Sequence, residues 1–265
     1  MNLLLKISFF IYIVVSLMNP NYAKANSIPE PEQVILNETD KYLILPNGIK
    51  LSTYCSYGAL SKEKINQIIL TGKWQHRVDD IFYEVLKYIP SKATMLEVGA
   101  YWSYYSLLFS HVVDNPSNFI LEPHPDHLRC GIKNFELNQK KGYFYRFYFG
   151  FDYEKRISHS HGSIHMQMDW FIVQNDIDHI DVLFINSQGS ELDVLTSSIE
   201  AIEQNKIDYF FIATHSLKKH ENCLNFFTDK NFQILIEYPP SEKIKDGLIL
   251  AKRLGISGPN YIKVD

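Results

Sequence analysis

Two acidic residues, Glu97 and Glu122, stand at or near the ends of short apolar runs, and the first is followed by the turn Gly99-Ala100-Tyr101-Trp102-Ser103. Directly after a strand, a glycine has no Cβ to keep backbone and ligand apart. An acidic residue about 20 positions further on can accept both hydroxyls of a ribose, and Glu122 lies 23 residues after Gly99. The pattern therefore predicts a nucleoside site. Ala100, Trp102 and Ser103 fill the positions that a GxGxxG fingerprint would need, which favours a nucleoside ligand without a pyrophosphate over a nicotinamide dinucleotide and disfavours an oxidoreductase. No GxSxG elbow occurs, so a serine hydrolase is less supported still. Tyr101, Trp102, Tyr104 and Tyr105 offer rings that could line an acceptor pocket, although Tyr104, with Leu107 and Leu108, is expected to face the core. His159, His161 and His165 would share one face of a strand as metal ligands, but Gly162 interrupts the alternation and no acid or cysteine is local. A solvated loop without metal is the expectation there.

The elements that must position these residues follow from periodicity. Val78, Ile81, Phe82, Val85, Leu86 and Ile89 fall at helical spacing after His76. Apolar runs at 95–98 and 119–121 then alternate with helical patterns at 103–113 and 125–138, which is βαβ grammar. After an aromatic stretch at 143–149 come runs at 182–185, 209–213, 232–236 and 248–251, with a helix expected over 191–204. No long helical pattern separates the last two runs, so they are expected to pair as an antiparallel edge hairpin. The fold class is thus α/β, a doubly wound and mostly parallel sheet with that hairpin at its C-terminal edge. Ligands of such sheets bind beyond the carboxyl ends of the strands near the topological switch point.

Three segments together resemble the FkbM-type methyltransferases. The first is Met95-Leu96-Glu97-Val98-Gly99-Ala100, the second Phe119-Ile120-Leu121-Glu122-Pro123-His124-Pro125 continuing to Asn134 and Asn138, and the third runs from Ile180 through Asn186, Gln188 and Gly189 to Glu191 and Leu192. Lesser matches are Met168-Asp169-Trp170, Thr214-His215 and Asp246-Gly247-Leu248, so the resemblance spans about residues 78–253. It implies a Rossmann-like methyltransferase sheet that uses S-adenosylmethionine to methylate hydroxyl groups, with a glycan, glycolipid or metabolite as acceptor. On the resemblance, Glu97 and Gly99 lie beside the methionine part of the cofactor and Glu122 binds its ribose. Ala100, Tyr101, Ser103 and Pro123 complete the expected cofactor-binding set, with the Cβ of Ser103 narrowing the approach. Phe184, Asn186 and Gln188 replace the family's lysine, aspartate and glutamate, while Glu191 is kept. Amides hydrogen-bond hydroxyls but take no proton from them and hold cations poorly. Expected catalytic residues are therefore His215 as base, with Asn186 and Glu191. The alternative is a catalytically degenerate, exported binding protein of the same fold.

The first 25 residues have a different grammar. Lys6 precedes an uncharged, mostly apolar run at 7–18, followed by Pro20 and Ala23-Lys24-Ala25, the pattern of a secretory signal. The run is shorter than the roughly 20 residues of a membrane-crossing helix, so cleavage is favoured over an anchor formed by residues 3–18. Either form would leave the body periplasmic, secreted or lumenal. Residues 26–72 read as leader and linker, with an acceptor pattern for glycosylation at Asn37-Glu38-Thr39, and residues 73–265 as the methyltransferase-like domain. Of the 265 residues, 46% are hydrophobic and 26 basic residues face 30 acidic ones; the chain can bury a core and presents no basic field for nucleic acid. Expected partners are a small-molecule or glycan acceptor, no nucleic acid, and membrane only through the N-terminal segment. Cys55, Cys130 and Cys223 are too few and too dispersed for a zinc cluster, and at most one disulfide could form.

Overall fold

Alternation of side chains about each strand builds two cores on the two faces of one sheet. In the computed structural model, which describes residues 42–45, 47–52, 68, 73–149, 163–228, 230–242 and 245–262, a hairpin of β1 (Tyr42–Ile44) and β2 (Lys50–Ser52) precedes α1 (His76–Leu86). Then follow β3 (Thr94–Val98), α2 (Tyr104–Val112), β4 (Ser117–Leu121), α3 (Pro125–Leu137), β5 (Tyr143–Tyr145), β6 (Phe147–Tyr148) and β7 (Ile164–His165). The C-terminal half comprises α4 (Met168–Gln174), β8 (Ile180–Ile185), α5 (Glu191–Thr196), α6 (Ile199–Glu203), β9 (Ile207–Thr214), α7 (Leu217–Thr228), β10 (Phe232–Tyr238) and β11 (Gly247–Arg253).

Seven strands form one sheet in the order β10-β11-β9-β8-β3-β4-β5. The pairs β5/β4, β4/β3, β3/β8 and β8/β9 are parallel, whereas β11 runs antiparallel to both β9 and β10. The expected doubly wound, Rossmann-like class with its antiparallel C-terminal hairpin is what the chain adopts. Val182 and Phe184 of β8 enter the core shared with α1 and α2, while Leu183 and Ile185 enter the core shared with α4, α5 and α7. All six β8 residues are buried, as a central parallel strand requires. The order reverses between β3 and β8, so the switch point lies between their carboxyl ends.

Three elements differ from the sequence expectation. The helix expected over 191–204 breaks into α5 and α6, because the Ser197 and Ser198 hydroxyls both donate to the Val194 carbonyl and draw the chain into a turn. Helix α7 was not anticipated: only His220, Cys223 and Phe227 of its 12 residues are buried, a thin apolar stripe in a polar sequence. The β1/β2 hairpin lies within the segment read as leader and linker. It is fastened to α3 where Asn134 Oδ1 accepts from the Ser52 N–H (2.8 Å) and Asn138 Oδ1 from the Lys50 N–H (2.9 Å). Cys130 and Cys223 are buried. Among the described residues no helix is long and apolar enough to cross a membrane; the signal segment, the glycosylation pattern and Cys55 lie outside them.

Asn134 is fully buried and also donates to the Trp102 carbonyl (3.0 Å), joining hairpin, α3 and the glycine turn. Asn134→Ala should cost about 2 to 4 kcal/mol by stranding two buried backbone groups, read as a lowered denaturation midpoint with an unchanged slope in urea.

Candidate functional site

At the switch point a cavity of about 430 Å³ opens beyond the carboxyl ends of β3, β4 and β8, within the range of small-molecule sites. Its floor depends on Gly99. The residue has φ +76°, and a Cβ there would overlap the Asn186 carbonyl. The glycine is thus required by the crossing of two backbones and not only by ligand approach, as the sequence suggested. Tyr101 follows with φ 52°, a conformation its N–H stabilises by donating to Glu122 Oε2 (2.8 Å). Glu122 Oε1 accepts from the His124 N–H (2.9 Å). Each carboxylate oxygen keeps a lone pair beyond these bonds, and Glu122 lines the cavity with Pro123, Ala100, Gly99 and Glu97. Glu97 accepts from the Ser106 N–H (3.0 Å) and hydroxyl (2.5 Å). Burial pushes its carboxyl up to about 7, against the pull of the Ser106 bonds and with a small push from Glu122.

Ser103 departs from its expected role. In a left-handed conformation (φ 61°) it caps α2, with its Oγ turned toward Gly131 of α3, and it is absent from the cavity wall. Its side chain therefore does not narrow the approach of a cofactor.

At the other end of the cavity His215, just past β9, faces Asn186, Gln188 and Asp246. The Asn186 N–H donates to the Val98 carbonyl (2.8 Å), extending the β3/β8 pairing to the cavity edge. His215 Nδ1 lies 2.5 Å from Glu191 Oε1, which also accepts from the Gly189 N–H (2.9 Å). Burial pushes the Glu191 carboxyl up, but the hydrogen bond and charge of His215, with Lys219 nearby, hold it below its ordinary value. An ionised carboxylate only accepts, so His215 Nδ1 donates to Glu191, and in the neutral imidazole that bond leaves Nε2 as the acceptor. Asp246 Oδ1 is 3.8 Å from that Nε2. Glu191, expected as a catalytic residue, is fully buried, does not line the cavity and meets it only through His215. Phe184 is buried between Tyr105 (ring centroids 4.3 Å) and Phe211 (5.5 Å) and does not reach the cavity.

Aromatic rings form the remaining walls. Tyr101, Trp102, Tyr104 and Tyr105 all contribute, and Trp74 meets Trp102 edge-on at 4.8 Å. Sequence reasoning missed Trp74, Asp79 and the lining role of Phe147, Tyr148 and Phe149. Asp79 is fully buried and accepts from the Trp74 N–H (2.6 Å) and from the Tyr104 and Tyr105 hydroxyls (2.9 Å each). Burial raises its carboxyl above the ordinary range while these bonds oppose the rise. An acid in the first turn of an amphipathic helix gives no sign of this in sequence.

His165 lies in β7, whereas His159 and His161 fall outside the described residues. Another cluster, His179, Asp181 and Asp208, gathers at the opposite ends of β8 and β9. Arg253 donates to Asp208 Oδ1 (2.7 Å from Nη2), His179 Nε2 lies 3.0 Å from Asp208 Oδ2, and the Thr94 N–H occupies Asp181 (2.7 Å). These groups form an ion network that ties strand ends together.

No protein-family model matches the chain and no curated protein is similar to it in sequence. Among solved structures, TrmK of M. capricolum in complex with S-adenosyl-homocysteine is 16% identical, covering 67% of this chain and 69% of that one at a TM-score of 0.42. An rRNA methylase from Streptococcus thermophilus is 10% identical over 69% of this chain and 99% of that one, at 0.45. Precorrin-6y C5,15-methyltransferase from Geobacter metallireducens is 13% identical over 65% and 87%, at 0.40. Likenesses of this degree carry no argument about cofactor or acceptor.

Glu97 predicts a pH dependence. With its carboxyl raised from about 4.5 to about 7 by folding, the native state binds the extra proton between those values. The associated stability is full below about 4.5 and is lost as pH rises through 7, on the order of 3 kcal/mol. Urea denaturation across pH 5 to 8 should show this decline in the parent and its loss in Glu97→Gln.

Proposed function

We propose that the protein is an S-adenosylmethionine-dependent O-methyltransferase of the FkbM type. The observation that carries the reading is one cavity with Glu122 at one end and a Glu191-oriented His215 at the other. Its residues fit the cofactor. Glu122, fixed by two backbone donors, presents its remaining lone pairs to ribose hydroxyls, and Glu97, Ala100 and Tyr101 face the same space. When bound, S-adenosylmethionine supplies a methyl group on a cationic sulfur. No lysine or arginine is among the described residues of the wall to oppose that charge.

With the cofactor held by Glu122, His215 Nε2 would accept the proton of the acceptor hydroxyl as that oxygen takes the methyl group the sulfonium would supply. The proton passes from the imidazole to water. Glu191 keeps the proton on Nδ1 and stabilises the imidazolium that forms. Asn186 and Gln188, as amides, orient the acceptor by hydrogen bonds and take no part in proton transfer. Direct displacement depends chiefly on alignment, so a single histidine base suffices. The acceptor is a glycan, glycolipid or metabolite hydroxyl. Residues 1–25 act as an export signal, and mass spectrometry of the native N-terminus tests this: a first residue at Asn26 is expected, and an intact Met1 would favour the anchor.

Calorimetric titration with S-adenosylmethionine and S-adenosylhomocysteine is the direct test, and no binding of either would overturn the reading. Glu122→Ala should weaken binding at least tenfold through loss of charged hydrogen bonds, with Glu122→Gln milder. His215→Gln should leave cofactor affinity intact and lower methyl transfer by about 10² to 10⁴. Glu191→Gln should change the pH profile of transfer more than its KM. Transfer unaffected by either variant would favour the degenerate binding protein or another base.

A further inference from the structure

The charged groups facing the cavity are one-sided. Glu97, Glu122 and Asp246 line it, and neither lysine nor arginine does so among the described residues. Two of the three carboxylates are already engaged by protein donors: Glu97 by Ser106, and Glu122 by the Tyr101 and His124 N–H groups. Asp246 differs. Its Oδ1 lies 3.8 Å from His215 Nε2, and its side chain is 43% exposed. Trp74, Trp102 and Tyr105 line the same cavity, and electron-rich ring faces attract cations.

From this arrangement we infer that the acceptor is a hydroxylated amine, its ammonium received by Asp246 while the neighbouring hydroxyl faces His215 Nε2. The heteroatoms of a vicinal amino alcohol lie within hydrogen-bond reach of one another, so each can address one of two protein atoms 3.8 Å apart. A carboxylate for which no hydrogen-bond donor is found among the described residues, in a cavity lined with aromatic rings, gains most from a mobile cation. A phosphorylated acceptor would meet Glu122 and Asp246, with no lysine or arginine among the described residues of the wall to offset them, and like-charge juxtaposition of that kind disfavours it. The role given to the hydroxyl rests on the methyltransferase reading; the preference for positive charge does not.

The test uses the full chain at neutral pH, with glucosamine, glucose and glucose 6-phosphate as probes in calorimetric titrations, with and without S-adenosylhomocysteine. Glucosamine should bind about tenfold more tightly than glucose, as one charge-assisted hydrogen bond implies, and glucose 6-phosphate most weakly. Asp246→Asn should reduce glucosamine to the level of glucose and leave S-adenosylhomocysteine affinity unchanged. Equal binding of glucosamine and glucose, tightest binding of the phosphate ester, binding of none of the three, or a preference that survives Asp246→Asn would each overturn the inference. A preserved amine preference in a chain that fails to bind S-adenosylhomocysteine would refute the methyltransferase reading and leave the inference standing.

Discussion

Everything at the cavity end of the sheet depends on how closely β3 and β8 approach where they stop. The chain leaving β3 passes against the Asn186 carbonyl with room for a hydrogen and no carbon at Gly99. That contact permits the left-handed turn through Tyr101, which aims one backbone N–H at Glu122. It also fixes Asn186 of the third motif, whose N–H donates to the Val98 carbonyl. The two halves of the cavity, one suited to a nucleoside and the other to a proton acceptor, are therefore built on one backbone crossing.

Buried carboxylates supply the second layer of order. Glu191, Asp79 and Glu122 each take donors from two segments and Glu97 takes both of its donors from Ser106 of α2, so each stops two pieces of chain from sliding past one another. Their burial is costly, and its return is geometry. His215 is held in one tautomer, Tyr104 and Tyr105 in one orientation, and the glycine turn in one path.

Much of this was legible in the sequence. Periodicity located α1, the strands β3, β4 and β8 to β11 and the hairpin edge, and the spacing of Glu97, Gly99 and Glu122 located the cavity. What stayed hidden was whatever depended on long-range packing. Helix α7 shows only three buried side chains, too few for a period to stand out. The serines that split the helix after Glu191 look like ordinary helix residues until their hydroxyls are seen on Val194. Phe184, at a position where the resembled family carries lysine, looks like a lost charge at the site; it is a ring in a stack with Tyr105 and Phe211. Ser103 looked like an obstruction and faces α3 instead. In each case local composition was read correctly and the direction of the side chain was not available.

The asparagines of α3 carry a practical lesson about where the folded unit begins. Because Asn134 and Asn138 take backbone hydrogens from β2, and Leu45, Ile49 and Leu51 enter the same core as α1, a shortened protein starting at residue 73 would leave those amides and that apolar surface facing solvent. Any trimmed form intended for expression or crystallisation should retain the chain from Lys41 onward, the point at which the compact unit starts.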